Sequence, residues 1–260
     1  MIFSFTNQKG GVGKTTTVLN LSAFLAKKGK KVLLIDLDPQ ANLTSGIGYR
    51  LPQEKKDKDK SPTIYNVLIE NQNISSAFKS TKIENLFLVP SSLDLAGAEI
   101  EIVNKISREN LLKKALKQIR QQYDYIFIDC PPSLGLLTIN ALVAASKIVI
   151  PIQCEYFALE GLSQLSKSID MIRKNLNRTL QVGGVILTMY DARTKLSKAV
   201  EEEVRKFFKK KVFKTVIPRN VKLSEAPSYG KPIILYDKTA PGSIAYEKIS
   251  DEFIERFNKN

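Results

Sequence analysis

The sequence GGVGKTT, residues 10–16, lies between a short apolar run and an amphipathic stretch. The run IFSF (2–5) is too short for a helix, whereas apolar side chains recur at helical spacing from about residue 15 to residue 28. A glycine loop that ends in Lys-Thr and joins a strand to a helix is typical of phosphate-binding loops, because its backbone amides converge on phosphate oxygens. This feature predicts an α/β protein that binds a nucleotide beside its first strand.

The alternation of short apolar runs and amphipathic stretches continues along the chain. It predicts a doubly wound, mostly parallel sheet with helices on both faces, the P-loop NTPase architecture. With 260 residues and no long linker, we expect a single domain over 1–260, with a polar surface loop at 53–62. Strands are predicted at 2–5, 31–36, 86–90, 125–129, 147–152, 182–188 and 214–218, and helices near 15–28, 93–121, 135–145, 160–177, 195–210 and 242–257.

The residue types that are missing restrict the chemistry. The chain has no histidine, and its two cysteines, Cys130 and Cys154, have no metal-binding spacing. Catalysis by Ser-His-Asp or Cys-His groups is therefore excluded, and both cysteines are predicted to be small core residues. Carboxylates, lysines, hydroxyls, backbone amides and a bound metal ion remain for catalysis.

The glycine loop itself supplies most of the predicted nucleotide site. Lys14 is expected to reach the β- and γ-phosphates of ATP, and the Thr15 hydroxyl to ligate Mg²⁺. The rest of the phosphate cradle is predicted to consist of Gly10, Gly11, Val12, Gly13 and Thr16.

Three aspartates follow predicted strands and meet at the carboxyl edge of the sheet. Asp129 ends YIFID, where a Walker B aspartate holds Mg²⁺ directly or through water. Asp36 and Asp38 end LLIDLD, and alternation along an extended chain points both to the same side. We predict that Asp36 binds the metal ion or supports the geometry of the loop, and that Asp38 orients the attacking water. The alternative role for Asp36 is to cap a helix or turn.

Lys9 is a second lysine at the mouth of the same loop. Because the loop wraps its phosphates tightly, a side chain that leaves from the mouth points away from its own nucleotide. A second copy packed face to face could receive it, and the lysine would then neutralise transition-state charge as an arginine finger does. This predicts a nucleotide-dependent homodimer.

The motifs KGGVGKTT, DLDPQ and IDCPPS resemble those of the deviant Walker A ATPases, which include ParA, MinD and the nitrogenase iron protein. The longer motifs CEYFALEGL, LTMYDART and IPRNVKLSEAPSYGKPI are similar to the ParA/Soj branch, and the resemblance runs from Ile2 to about Phe257. It implies a cytoplasmic, nucleoid-associated partitioning ATPase whose ATP-bound dimer binds DNA without sequence preference. It further implies a ParB-type partner that stimulates hydrolysis, a role for Lys9 across the dimer, and Pro218 and Asn220 beside the adenine.

The formal charge of +14 points to a polyanion partner, and its distribution favours DNA. Residues 193–231 contain twelve Lys or Arg and four Glu, a net +8 in this segment. No motif for reading bases accompanies it, so we expect backbone contacts that weaken steeply with salt. The family resemblance places Arg193 and Lys222 at DNA-contacting positions; lysine at the second position lacks the bidentate fork of arginine.

Three other functions compete with this interpretation. A MinD-like membrane switch ends in a basic amphipathic helix, but here the apolar face of 242–257 is backed by Glu247, Asp251, Glu252 and Glu255. We therefore expect this helix to dock on the domain, and we expect no membrane partner. An iron–sulfur carrier would need Cys130 or Cys154 to bridge a cluster across the dimer. A DNA-binding clamp without useful turnover would be exposed by an ATPase assay with DNA and partner.

Overall fold

Seven strands form one sheet in the part of the chain that the computed structural model describes, residues 1–52, 61–155 and 158–258. Their spatial order is β3-β4-β2-β5-β1-β6-β7, and every neighbouring pair is parallel except β3 with β4. The strands are β1 (Ile2–Phe5), β2 (Val32–Asp36), β3 (Lys79–Ser80), β4 (Leu86–Val89), β5 (Tyr125–Asp129), β6 (Lys147–Gln153) and β7 (Gln181–Thr188). The predicted fold class is confirmed.

Helices cover both faces of this sheet, as alternation along the strands requires. In β2, Leu34 packs in the same cluster as helices α1 and α11, whereas Leu33 and Ile35 pack on the opposite face with α4 and α6. The helices are α1 (Lys14–Lys27), α2 (Asn42–Gly46), α3 (Ile64–Ile69), α4 (Leu95–Ile102), α5 (Leu111–Leu116), α6 (Leu136–Ala144), α7 (Ala158–Asn175), α8 (Lys195–Phe208), α9 (Val221–Glu225), α10 (Ile233–Tyr236) and α11 (Pro241–Phe257).

Two of the predicted elements are wrong. The segment 214–218 is not a strand, because the Glu252 carboxylate accepts hydrogen bonds from the amides of Lys214 (2.7 Å) and Thr215 (2.8 Å). Instead of a strand ladder, the chain here forms isolated bridges, Val185 with Val212 and Tyr190 with Pro218. The predicted helix 93–121 is interrupted after α4, where Ser107 adopts a left-handed φ of 54°, and resumes as α5. The predicted surface loop lies mostly outside the described residues.

The C-terminal helix α11 packs on the domain, as its apolar face predicts. Ile249, Phe253 and Phe257 are buried, and the ring centroids of Phe3 and Phe253 are 4.9 Å apart. The apolar face that a membrane helix would place in lipid is therefore covered by the core. Among the described residues, no helix combines the length and hydropathy needed to cross a bilayer.

Lys209 ends α8 in a conformation that side chains rarely adopt, with φ 51° and ψ −127°. Because strain of this kind costs about 1–3 kcal/mol and glycine relieves it at an entropic cost of about 0.5–1 kcal/mol, we expect Lys209→Gly to raise the free energy of unfolding by about 1 kcal/mol. Urea denaturation measures this. Lys210→Gly is the matched control, since Lys210 has no positive φ and the substitution is expected to destabilise. Equal losses in both variants would contradict the assignment of strain.

Candidate nucleotide site

The glycine loop connects β1 to α1 through two left-handed residues. Gly11 has φ 73° and Gly13 has φ 83°, so any other residue would be strained at either position. The Thr188 hydroxyl, at the end of β7, donates a 2.9 Å hydrogen bond to the carbonyl oxygen of Val12 and so holds the loop from the edge strand of the sheet. Thr188 was assigned no role from the sequence, although it ends a predicted strand and begins the motif LTMYDART together with Leu187.

The loop forms one wall of a cavity of about 600 Å³. The opposite wall comes from the segment after β2, the turn after β5 and the chain around Pro227. The lining residues include Gly10, Gly11, Gly13, Lys14, Thr15, Thr16, Asp38, Pro132 and Ser228. Most of the predicted phosphate-binding residues are thus assembled around one space.

A smaller cavity of about 280 Å³ adjoins it and shares Gly13, Thr16 and Met189 in its lining. Pro218 and Asn220 lie in this second cavity, together with Ile217 and Tyr246. The Asn220 side-chain oxygen is buried and has no hydrogen-bond partner in the described chain. An exocyclic amine of a base is a suitable donor for it, since a buried acceptor is costly when left without a partner. The two cavities therefore match the phosphate and base halves of a nucleotide.

Lys14 is almost fully buried at the base of the larger cavity. Its ammonium group donates a 3.2 Å hydrogen bond to the carbonyl oxygen of Lys9. Burial lowers the pKa of Lys14, while the carboxylates of Asp129 and Asp38 oppose that shift. An anionic phosphate in the cavity would favour the charged form further, so the site suits a phosphate ligand.

The carboxylate of Asp129 is fully buried, and neither oxygen forms a hydrogen bond to the described part of the protein. Burial raises its pKa well above the usual range, and the adjacent Asp36 and Asp38 add to the shift, whereas Thr15 and Lys14 oppose it. A buried carboxylate without a partner fits a cation ligand. The described residues contain no cluster of three or more metal-binding side chains. Mg²⁺ commonly binds through one or two carboxylates together with phosphates and water, and Asp129 can supply one such carboxylate.

Asp36 is also fully buried, but its oxygens already accept hydrogen bonds. Thr44 donates to Oδ2 from its amide (2.8 Å) and its hydroxyl (2.6 Å), and the amide of Asp38 donates to Oδ1 (3.2 Å). Burial raises the pKa of Asp36 to about 6 despite these bonds. These contacts connect the end of β2 to α2. The role of Asp36 as a metal ligand stays a prediction, with less support than that of Asp129.

Asp38 lines the larger cavity, unlike Asp36. Its Oδ1 accepts a 2.9 Å hydrogen bond from the amide of Gln40, which orients the carboxylate. Alternation predicted that Asp36 and Asp38 point to the same side, but the two carboxylates have different surroundings. Asp38 faces the nucleotide space, where an attacking water is needed, while Asp36 is held by Thr44.

The side chain of Lys9 leaves the loop away from its own cavity. Its amide is fixed by a 3.1 Å hydrogen bond to the Asn7 side chain, and its ammonium group lies 3.5 Å from a carboxylate oxygen of Glu155. Lys9 is not among the residues that line either cavity. The role of Lys9 in the site of a second copy stays a prediction. Within one chain, Lys9 pairs with Glu155, a residue that sequence reasoning did not single out.

Neither of the two predicted DNA contacts lines the nucleotide cavities, although Lys222 directly follows Val221, which lines the smaller one. Arg193 is highly exposed and forms an ion pair of 2.7 Å with Asp191. Lys222 is half-exposed, 3.0 Å from Glu225, and its ammonium lies 5.6 Å from the Tyr236 ring centroid. Both cations are accessible, but no contact within the described residues joins them, so their common role stays a prediction.

A parallel sheet whose first strand enters a glycine loop and then a helix, with a buried lysine and an unpaired strand-end aspartate at one cavity, defines a P-loop nucleotide-binding protein. A family model described as an AAA domain matches residues 1–182. The sporulation initiation inhibitor protein Soj of Bacillus subtilis is 57% identical, over 96% of this chain and 97% of that protein. The chromosome-partitioning ATPase Soj of Treponema pallidum is 50% identical, over 97% and 96%.

Among solved structures, cobyrinic acid a,c-diamide synthase of Mycobacterium smegmatis with a bound ATP analogue and magnesium superposes with a TM-score of 0.83. It is 35% identical, over 99% of this chain and 96% of that one. Together, the near-complete coverage and the identity to the Soj proteins leave one assignment. The chain belongs to the ParA/Soj family of partitioning ATPases.

The environment of Asp129 leads to a prediction about magnesium. We expect Asp129→Asn to reduce the gain in ATP affinity that Mg²⁺ provides by about tenfold or more. Residues that hold a metal ion directly or through a water molecule typically contribute at this level. Titration of a fluorescent ATP analogue with and without Mg²⁺ measures it. Without metal, the same variant is expected to unfold at an equal or higher temperature, since it removes a buried charge without a partner. An unchanged Mg²⁺ dependence would show that Asp129 does not serve the metal.

Proposed function

We propose that the chain is an ATP-hydrolysing DNA-partitioning protein in which two copies complete each other's active sites. The observation that carries the proposal is the pair of lysines on one loop. Lys14 lies buried in the cavity of its own chain, while Lys9 points out of it. Two cations on one loop with opposite directions suit a site that needs one charge from each of two copies.

ATP and Mg²⁺ are the ligands that fit the two cavities. Thr15 and Asp129 would hold the ion, with Asp36 behind them, and the loop amides, Lys14 and Thr16 would hold the phosphates. Mg²⁺, when bound, neutralises charge on the phosphate oxygens. Pro218 and Asn220 would contact the adenine, since the unpaired Asn220 oxygen can accept from its amino group.

The reaction follows from the remaining side chains. Asp38 orients a water molecule towards the γ-phosphate, and its carboxylate is already held by the Gln40 amide. Lys9 of the second copy stabilises the negative charge that develops during transfer, at the cost of its pairing with Glu155. That pairing joins two partly exposed side chains and is therefore weak, so it does not prevent the exchange.

DNA binding is proposed for the basic surface of residues 193–231, with Arg193 and Lys222 as contacts to phosphates. A dimer doubles this surface, which links DNA affinity to ATP. A ParB-type centromere-binding protein is the proposed activator of hydrolysis, and ADP is expected to release the dimer from DNA. We further propose that residues 1–260 act as one ATPase domain in the cytoplasm, associated with the nucleoid.

The structure gives little support to the competing functions. Helix α11 buries the apolar face that a MinD-like membrane switch would insert into lipid. Cys130 and Cys154 are both buried, and burial raises the pKa of each thiol to about 12. A sulfur buried within its own chain is poorly placed to share an iron–sulfur cluster with a second copy. Asp38 in the cavity favours turnover over a clamp without hydrolysis.

The trans role of Lys9 can be tested with two variants. Lys9→Ala is expected to bind ATP with nearly unchanged affinity, because Lys14, Thr15 and the loop amides remain, but to fail to dimerise with ATP. Fluorescent ATP binding and analytical ultracentrifugation measure the two properties. Lys14→Ala is the matched control and is expected to lose ATP binding. A mixture of both variants restores one complete site and should give some heterodimer, whereas loss of ATP binding in Lys9→Ala alone would contradict the trans assignment.

The DNA surface can be tested by reversing one charge. Arg193→Glu is expected to weaken DNA binding by about tenfold or more and to spare ATP-dependent dimerisation, because Arg193 lines neither cavity. Arg173→Glu is the matched control, since Arg173 is also exposed and also paired with an aspartate, Asp170. Fluorescence anisotropy with duplex DNA at several salt concentrations measures the effect. Equal losses in both variants would point to net charge rather than to a defined surface.

A further inference from the structure

A third cavity, of about 770 Å³, lies between helix α7, the start of β7 and the end of α8. We call it the α7–α8 cavity. Because β7 runs parallel to β6, and β6 to β1, the start of β7 and the glycine loop at the end of β1 lie at opposite edges of the sheet. The α7–α8 cavity shares no lining residue with the two nucleotide cavities, so it is a separate site.

The walls of the α7–α8 cavity are largely apolar. The apolar side chains that line it are Ile169, Leu180, Val182, Phe207 and Phe208. Leu180 and Ile169 are almost fully buried, whereas Phe207 is 60% exposed and its ring centroid lies 4.8 Å from that of Phe208. The apolar surface therefore extends from the core to the outside of the protein. A cavity of this volume with mainly apolar walls is typical of small-molecule sites.

The charged side chains of this cavity are mostly basic. The lining contains four cations and one carboxylate, namely Arg173, Lys209, Lys210, Lys211 and Asp170. Arg173 forms an ion pair of 3.0 Å with Asp170. No ion pair within the described ranges involves any of the three lysines. Their ammonium groups are therefore available to an anion.

The three lysines form a turn that the rest of the fold holds in place. We call residues Lys209–Lys211 the lysine turn. Lys209 begins it with φ 51° and ψ −127°, a strained conformation for a residue other than glycine. The Arg256 guanidinium, on α11, donates hydrogen bonds to the carbonyl oxygens of Lys211 (2.8 Å) and Val212 (3.3 Å). Strain of this kind is concentrated at ligand-binding sites, and a turn that is already held loses less conformational entropy when a ligand binds.

The lysine turn is placed differently from the proposed DNA contacts, although both belong to residues 193–231. Arg193 precedes α8 and the lysine turn follows it, and a helix of 14 residues is about 21 Å long. Apolar walls also add nothing to the binding of a phosphate backbone. DNA therefore does not account for the α7–α8 cavity.

Two further occupants fit poorly. A bilayer takes up apolar side chains that protrude, whereas Leu180 and Ile169 are recessed in the core. A second copy in a two-fold symmetric contact would bring two lysine turns together, and like charges held in an interface are unfavourable. An anion with an apolar body, small enough to enter the cavity, satisfies both the walls and the lysines.

We propose that the α7–α8 cavity binds a small amphiphilic anion, a molecule with an acyl chain or ring system and a phosphate or carboxylate at one end. The apolar body lies against Leu180, Val182 and Phe207, and the anionic end pairs with the lysine turn. This site goes beyond the proposed function, since neither ATP hydrolysis nor partitioning requires it.

The class of ligand is tested on the full chain with three probes. Octyl phosphate contains both parts of the predicted ligand, octanol only the apolar body, and inorganic phosphate only the anion. Isothermal titration calorimetry, below the concentration at which octyl phosphate forms micelles, measures affinity and stoichiometry. We expect one octyl phosphate per chain, bound about tenfold or more tightly than either octanol or inorganic phosphate, because each part contributes to binding.

The lysine turn is tested by removing two of its charges. Lys210→Gln/Lys211→Gln is expected to weaken octyl phosphate binding by about fivefold or more and to leave octanol binding unchanged, because only the anionic end loses its partners. Lys195→Gln/Lys198→Gln is the matched control. It removes the same charge from exposed positions of α8 that do not line the cavity, and it is expected to keep the original affinity within about twofold.

The apolar wall is tested on the same helix. Phe207→Ser is expected to weaken the binding of octyl phosphate by about threefold or more. Leu196→Ser is the matched control, since Leu196 is 45% exposed and does not line the cavity. Phe207 and Leu196 are both exposed, and thermal unfolding checks that each variant is folded.

Three outcomes overturn the inference while the proposed function stands. The first is octyl phosphate binding that ADP displaces and that Lys210→Gln/Lys211→Gln leaves unchanged, which would place the ligand at the glycine loop. The second is binding of many octyl phosphate molecules per chain without saturation. The third is loss of DNA affinity in Lys210→Gln/Lys211→Gln with unchanged affinity for octyl phosphate, which would make the lysine turn a DNA contact.

Discussion

The site depends on the parallel register of three neighbouring strands. Phe5 pairs with Asp129, and Asp129 pairs with Asp36, so that β1, β5 and β2 end side by side at one edge of the sheet. The glycine loop leaves from the first of these strand ends and the two carboxylates stand at the others. A shift of one residue in either pairing would turn an aspartate to the other face of the sheet, because side chains alternate along a strand. Apolar side chains of these strands are buried on both faces of the sheet, and this burial holds the register.

That register places incompletely paired charged groups in the interior. Among the described residues, the Asp129 oxygens form no hydrogen bond and the Lys14 ammonium group donates to one carbonyl oxygen, although each charge partly offsets the other. Such groups destabilise a chain without ligand, whereas phosphates and a cation stabilise them when bound. The arrangement links stability to nucleotide occupancy, because a ligand that binds only the folded state adds its binding free energy to stability. Asp36 differs, since Thr44 supplies its donors.

Charged residues are distributed unevenly along the chain. Residues 193–231 hold a net +8, while residues 83–104 contain carboxylates and no cation. A basic surface attracts phosphate backbones over distances comparable with the Debye length, about 8 Å at physiological ionic strength. The uneven distribution of charge along the chain is therefore compatible with the proposed DNA surface, which needs cations concentrated in one segment.

The sequence by itself determined the sheet class, the phosphate loop and the three strand-end aspartates. These depend on short-range rules, namely the period of apolar residues, the need for glycine at φ 73° and 83°, and the place of polar residues where buried strands end. Tertiary structure decided what each group meets. Thr44 donates hydrogen bonds to Asp36, whereas the Asp129 oxygens form none among the described residues. Glu155 forms an ion pair with Lys9. Glu252 accepts hydrogen bonds from the amides of Lys214 and Thr215, in the segment that was predicted to be a strand. Periodicity reports which face of an element is buried, but the partner of a polar atom comes from chain segments brought together by folding. For the same reason the amphipathic pattern around α4 predicted a helix, and only packing of the neighbouring segments left Ile100 and Ile106 uncovered.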